Sequence, residues 1–138
     1  MNLYPPFIGA GIRLKEYNEK GTSYLVEMKL RWYNRNVYGT HYGGSLYSMC
    51  DPFFVFVAYS YFGDGYILWD KSASIEFKRP GKGTVQALFE ISDDRLEEMK
   101  SEVDLEGKKT FHFVAEVKDK GLNVVAIVKK EIYIKKKR

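Results

Sequence analysis

The chain has 138 residues, 45% hydrophobic and 29% charged, a length and balance that suit one folded domain over residues 1–138 and exclude wholesale disorder. One cysteine, Cys50, and two histidines leave no internal disulfide and too few soft ligands for a zinc site, so no metal or cofactor is expected. The net charge of +4 is carried by the all-basic stretch Lys135 to Arg138; the rest is neutral and lacks the cationic face that nucleic-acid binding needs. The first six residues show no signal-peptide pattern. The longest apolar run, 53–62, is too short to span a bilayer, so a cytoplasmic protein with no membrane insertion is expected. Aromatics reach 16%, with 11 Tyr, a residue type suited to interfaces and ligand clefts.

In chain order, residues 8–15 predict a weak strand interrupted by Gly9 and Gly11. Residues 23–31 alternate, with Tyr24, Val26, Met28 and Leu30 on one face, and predict a half-buried strand. Residues 33–42 form a polar connection. Residues 43–62, small and apolar, predict the one long helix, stopped by Gly63 and Gly65. Residues 71–79 alternate Ala73, Ile75 and Phe77 against Ser74, Glu76 and Lys78. A turn at Pro80 to Gly83 leads to a strand over 84–92. Leu96, Met99 and Val103 recur at spacings of three and four within the charged segment 93–105, which predicts a short surface helix. Strands over 109–118 and 122–134, joined at Asp119, Lys120 and Gly121, complete the chain. One long apolar helix among about six antiparallel strands predicts an α+β fold, a curved sheet wrapped around the helix.

The chemistry concentrates between Asn36 and Asp51. Paired glycines, Gly43 and Gly44, open a helix where unhindered backbone N–H groups can meet a developing oxyanion. Asp51 lies in an otherwise apolar stretch, where a carboxylate needs partners or a task. A plainer reading stands beside this one: the glycines permit close packing, and Asp51 followed by Pro52 starts a second helical segment.

The segment resembles the hotdog-fold acyl-CoA thioesterases of the phenylacetate-pathway type. Their pattern of Asn, two residues, Gly, two residues, His-Gly-Gly and an acidic residue seven positions on is matched by Asn36, Gly39, Gly43, Gly44 and Asp51. The strand from Asp70 that closes on Arg79, Pro80 and a glycine turn also resembles theirs. The charged helix near Asp93 and the closing strand from Gly121 to Ile134 are similar to an uncharacterised thioesterase-like branch, the DUF4442 type. Two departures stand out: Tyr42 replaces the family histidine, with His41 one place earlier, and Pro52 follows the acid, where it should bend the helix.

The resemblance implies a hotdog fold acting as a homodimer or a dimer of dimers, and hydrolysis of an acyl- or aryl-CoA thioester. The Gly43 N–H polarises the carbonyl, and Asp51 from the partner subunit acts as general base or nucleophile. Asn36 holds the loop or the water. Phe53, Phe54 and Tyr47 border the acyl chain, Tyr42 and Gly44 also contact substrate, Asp70 or Ser72 supplies a further polar group, and Arg79, with Lys78 and Lys82, meets the CoA phosphates. The rival reading is a non-catalytic acyl-CoA or fatty-acyl binding protein, with Tyr42 marking lost chemistry. His41 is expected to brace its loop or face solvent, and His112 to be structural. Cys50 is expected to be a buried hydrophobe, Tyr59 and Tyr61 to pack, and the Lys129–Lys130 pair and the tail to form a solvated end.

Overall fold

In a computed structural model, which describes residues 2–138, the chain runs α1 (Pro5–Ala10), β1 (Ile12–Tyr17), β2 (Ser23–Lys29), α2 (Gly43–Ser48), α3 (Phe53–Phe62), β3 (Tyr66–Phe77), β4 (Thr84–Glu90), α4 (Asp93–Glu106), β5 (Lys108–Asp119) and β6 (Val124–Lys136). The strands form one antiparallel sheet in the order β1-β2-β4-β5-β6-β3. Connections that bring β3 to the outer edge beside β6 leave the helical stretch to cross one face of the sheet. This is the α+β, helix-on-sheet arrangement that the alternation implied.

The helical stretch from Gly43 to Phe62 is present, with a break between Ser48 and Phe53. Pro52 explains the break: it has no N–H to give, and its ring opposes a continuous helix through the preceding turn. Five side chains of α3, Phe53, Phe54, Val57, Ala58 and Phe62, are buried. Phe53 stacks on Phe89 of β4 with ring centroids 5.2 Å apart, and Phe54 on Phe113 of β5 at 5.1 Å. Each buried phenylalanine or valine contributes ~1.5–3 kcal/mol by leaving water, so this helix–sheet contact is a substantial part of the core. In α4, Leu96, Met99 and Val103 are buried, Ser92 caps the first turn by accepting from the Arg95 N–H, and Gly107 closes the last at φ 83°.

One expected strand is corrected. The segment 8–15 is not a strand throughout; residues Pro5–Ala10 form a short helix, and the strand begins only at Ile12. Pro5 and Pro6 sit at the first helical positions, where a missing N–H costs nothing, and Gly11 ends the helix in the left-handed region at φ 76°. The strand expected over 71–79 starts earlier, at Tyr66, and runs twelve residues along the sheet edge, largely exposed.

Candidate functional site

Two neighbourhoods hold the expected site residues. The first is a cavity of about 730 Å³ beside the start of α2, lined by Asn36, Tyr38, His41, Gly43, Leu46 and Phe77, with Arg79 and Lys82 among the cations at its border. Gly43 is the first residue of α2, so its N–H is among those a helix leaves unpaired. Among the described residues it makes no hydrogen bond. Space also favours glycine at both positions: a Cβ on Gly43 would stand 3.0 Å from the Phe77 ring, and one on Gly44 would stand 2.6 Å from the ring of Tyr42. Tyr42 precedes the helix and lies exposed across Gly44.

Asn36 braces the loop that forms this wall. Its Oδ1 accepts from the backbone N–H groups of Tyr38 (2.9 Å) and Thr40 (3.2 Å), while its Nδ2 donates to Thr40 Oγ1 and to the His41 carbonyl. His41 is buried, and its Nε2 lies 2.7 Å from the Gly83 carbonyl oxygen. That contact requires an Nε2–H donor and makes Nδ1 an acceptor, yet Nδ1 is buried with no partner among the described residues. Burial holds the imidazole pKa below its ordinary value, with the Gly83 contact opposing.

The second neighbourhood surrounds Asp51, which does not line the first cavity within the same chain. Asp51 sits at the break between α2 and α3 and does not cap α3, whose N-cap residue is Pro52. Its Oδ1 instead accepts from the Tyr47 hydroxyl at 2.9 Å and from Lys130 Nζ at 3.1 Å. Tyr47 lies four residues earlier, the spacing that keeps two side chains on one helical face. Lys130 also donates to the Tyr47 hydroxyl at 3.0 Å and pairs with Asp70 Oδ1 at 3.1 Å.

The lysine comes from the core. It occupies an inward position on β6 between buried Val128 and Ile132, and its side chain is 0% exposed, whereas those of Asp51 and Asp70 are 53% and 33% exposed. The expectation that Lys129 and Lys130 form a solvated end is therefore corrected for Lys130: strand alternation sends Lys129 outward and Lys130 in. Asp70 reaches the same place because β3 carries an irregularity between Asp70 and Ser72, so that Asp70 pairs with Ile132 and Ala73 with Lys130. The extra residue turns both inward despite their odd separation.

These contacts set the local titration. Burial alone would lower the Lys130 pKa, but its hydrogen bonds to Tyr47, Asp70 and Asp51 carry it above the ordinary lysine value. Burial raises the Asp70 carboxyl, with Lys130 opposing and the charge of Asp51 adding to the rise. Burial likewise raises the Tyr47 hydroxyl. Burial pushes the Cys50 thiol up to about 12, which fits an inert packed side chain.

The remaining expected residues divide as follows. Ser72 lies on the outer face of the sheet and donates to Glu131 Oε2, which keeps it apart from Asp70. His112, exposed on the same face, meets Glu131 Oε1 at 2.9 Å. Phe54 and Phe53 are consumed by core packing and do not line the cavity beside Gly43, whose apolar surface comes from Leu46 and Phe77. Lys78 is paired with Glu76 at 2.7 Å. Tyr59 is exposed and donates to Asp64, whereas Tyr61 packs edge-on against Phe62. No group of acidic, His and Cys side chains suited to a metal ion occurs among the described residues, and no described helix is long and apolar enough to cross a membrane.

A family model described as a domain of unknown function (DUF4442) matches residues 1–134. No curated protein matches the sequence. Among solved structures, a Pseudomonas aeruginosa protein of unknown function, described as a probable thioesterase, superposes with a TM-score of 0.86 at 18% identity, covering 97% of this chain and 89% of its own. A thioesterase from Haemophilus influenzae gives 0.68 at 10% identity, with coverages of 95% and 82%. The PaaI protein of the Escherichia coli phenylacetic acid degradation operon gives 0.67 at 19% identity, with coverages of 99% and 87%. At these identities the likeness is one of fold, and the fold is the hotdog.

Proposed function

The chain belongs to the DUF4442 domain family, and from that premise we propose that it hydrolyses the thioester bond of an acyl- or aryl-CoA in a site shared by two copies. The observation that carries the reading is the unpaired Gly43 N–H opening on a cavity whose border holds Arg79 and Lys82. A thioester oxygen seated at that N–H gains a donor aimed at the negative charge that develops as the carbonyl becomes tetrahedral. Arg79 and Lys82 suit the CoA phosphates by charge, and Leu46 and Phe77 offer apolar surface to the acyl group.

Asp51 supplies the base. It is half exposed and lies outside the Gly43 cavity of its own chain, so a second copy must bring the two together. Asp51 then takes a proton from water as the water oxygen attacks the thioester carbon, and collapse of the tetrahedral species expels CoA as its thiolate. Direct attack by the carboxylate, giving an anhydride that water cleaves, reaches the same products. Association of copies is supported by the exposed twelve-residue edge strand β3, with Trp69 and Phe77 exposed on it, and by exposed Tyr38 in the cavity wall and Tyr42 at the start of α2; a long edge of this kind is a ready pairing surface. Asn36 keeps the loop in shape, since the contacts of its amide are made within that loop.

The rival reading, an acyl-CoA or fatty-acyl binding protein without turnover, draws on Tyr42, which stands in place of the family histidine and covers Gly44. A thiol-release assay over short, long and aromatic acyl-CoAs separates the two. Hydrolysis by the wild type that disappears in Asp51→Ala is the expected result. Acyl-CoA binding without thiol release establishes the binder.

A further inference from the structure

The lysine beneath Asp51 calls for a reason. A charged side chain at an inward strand position, between Val128 and Ile132, displaces the apolar residue that packing favours there and carries a large desolvation cost. Neither carboxylate needs the lysine in order to be tolerated, because both retain contact with water. The dependence runs the other way: the ammonium is fully enclosed and is matched by Tyr47, Asp51 and Asp70. Charges placed against the interest of stability mark functional geometry.

What the arrangement achieves is visible on Asp51. Two donors, Tyr47 Oη and Lys130 Nζ, converge on Oδ1, and they are bonded to each other, so the carboxylate is held by one edge in a closed triangle. Oδ2 makes no hydrogen bond among the described residues. We propose that Lys130 is a positioning residue that, with Tyr47, clamps Asp51 by Oδ1 and leaves Oδ2 as the single oxygen presented to the reacting water or carbonyl. Asp70, delivered to the same face by the irregularity in β3, pairs with the same ammonium at 3.1 Å. The groups facing the ammonium are Tyr47 from α2, Cys50 and Asp51 from the break after it, and Asp70 from β3. This role rests on the reading of Asp51 as the base.

The test is Lys130→Met beside Tyr47→Phe, each in the full chain, read by the kcat and KM of thiol release from the preferred acyl-CoA and by thermal unfolding. Methionine has the length and apolar character for a site between Val128 and Ile132, so Lys130→Met should unfold no earlier than the wild type. Its kcat should fall by about 10- to 100-fold with KM changed less than about twofold, the signature of an interaction made in the transition state. Tyr47→Phe removes one donor only and should lose about 3- to 10-fold in kcat. This second variant decides the matter if Lys130→Met does not fold. Turnover that survives both substitutions at the wild-type kcat overturns the clamp and leaves the hydrolase reading standing. Absence of turnover in the wild type overturns the hydrolase reading, and the clamp's catalytic role with it.

Discussion

Replacing both acids around Lys130 isolates the cost of the buried charge. In the wild type the ammonium has no exposure and lies 3.1 Å from an oxygen of each carboxylate. Asp51→Asn combined with Asp70→Asn leaves it enclosed with neutral acceptors only. Removing the partner of a buried charge costs ~3–5 kcal/mol. The amide oxygens and the Tyr47 hydroxyl still accept hydrogen bonds, so a loss of about 3 kcal/mol is expected, a large share of the ~5–15 kcal/mol that holds an ordinary domain together. Adding Lys130→Met removes the stranded charge and should return stability to within about 1 kcal/mol of the wild type. Urea unfolding at neutral pH, compared at constant slope, measures all three. The pH dependence has a defined sign. Lys130 has a folded pKa above its ordinary 10.5, so its contribution is fully present below that value and is lost as pH rises through the folded one. A double-Asn variant as stable as the wild type, or one that Lys130→Met fails to rescue, refutes the assignment of the acids as the charge's partners.

Two other expectations concern the core and the cavity loop. Phe54→Ala should cost ~3–5 kcal/mol in urea unfolding, because Phe54 is buried between Phe113 and Phe89; acyl-chain preference should persist, and a changed preference would mean that the side chain borders substrate after all. His41 has a folded pKa below 6.5, so its contribution to stability is present above 6.5 and is lost as pH falls through the folded value. Protonation places an N–H on Nδ1 where nothing accepts it. Unfolding midpoints of the wild type and His41→Gln at pH 7 and pH 5 should diverge, the wild type falling further; a parallel fall rejects the mechanism.

Alternation made most of the sheet legible from the residues, because Val26, Met28, Val85, Ala87 and Phe89 face the core without interruption. The break at Pro52 was equally legible, since it follows from a missing N–H. The helix at Pro5–Ala10 was not, because the glycines at positions 9 and 11 drew attention to a strand while the prolines that start the helix lay before them. At the site, Gly43, Asn36 and Asp51 stood in a recognisable spacing, but their partition between two neighbourhoods depends on how the chain returns on itself. Lys130 was readable in principle: it shares parity with Ala126, Val128, Ile132 and Ile134, all buried. The adjacent Lys129 disguised it as part of a solvated charge run. Asp70 gave no such signal, because the irregularity that turns it inward has no mark in local composition. Phe54 was misplaced for a related reason: an apolar helix offers no polar face to tell which side meets the sheet.

The central claim is that Gly43 and Asp51 act on one substrate from different copies, and a mixed dimer tests it directly. Asp51→Ala and Gly43→Val, the latter filling the space against Phe77, are co-expressed with different tags, and the dimer carrying one of each is purified. Each homodimer should release no thiol, whereas the mixed dimer, with one intact site of two, should recover about half of the wild-type turnover. A mixed dimer that folds, associates and releases nothing contradicts the claim.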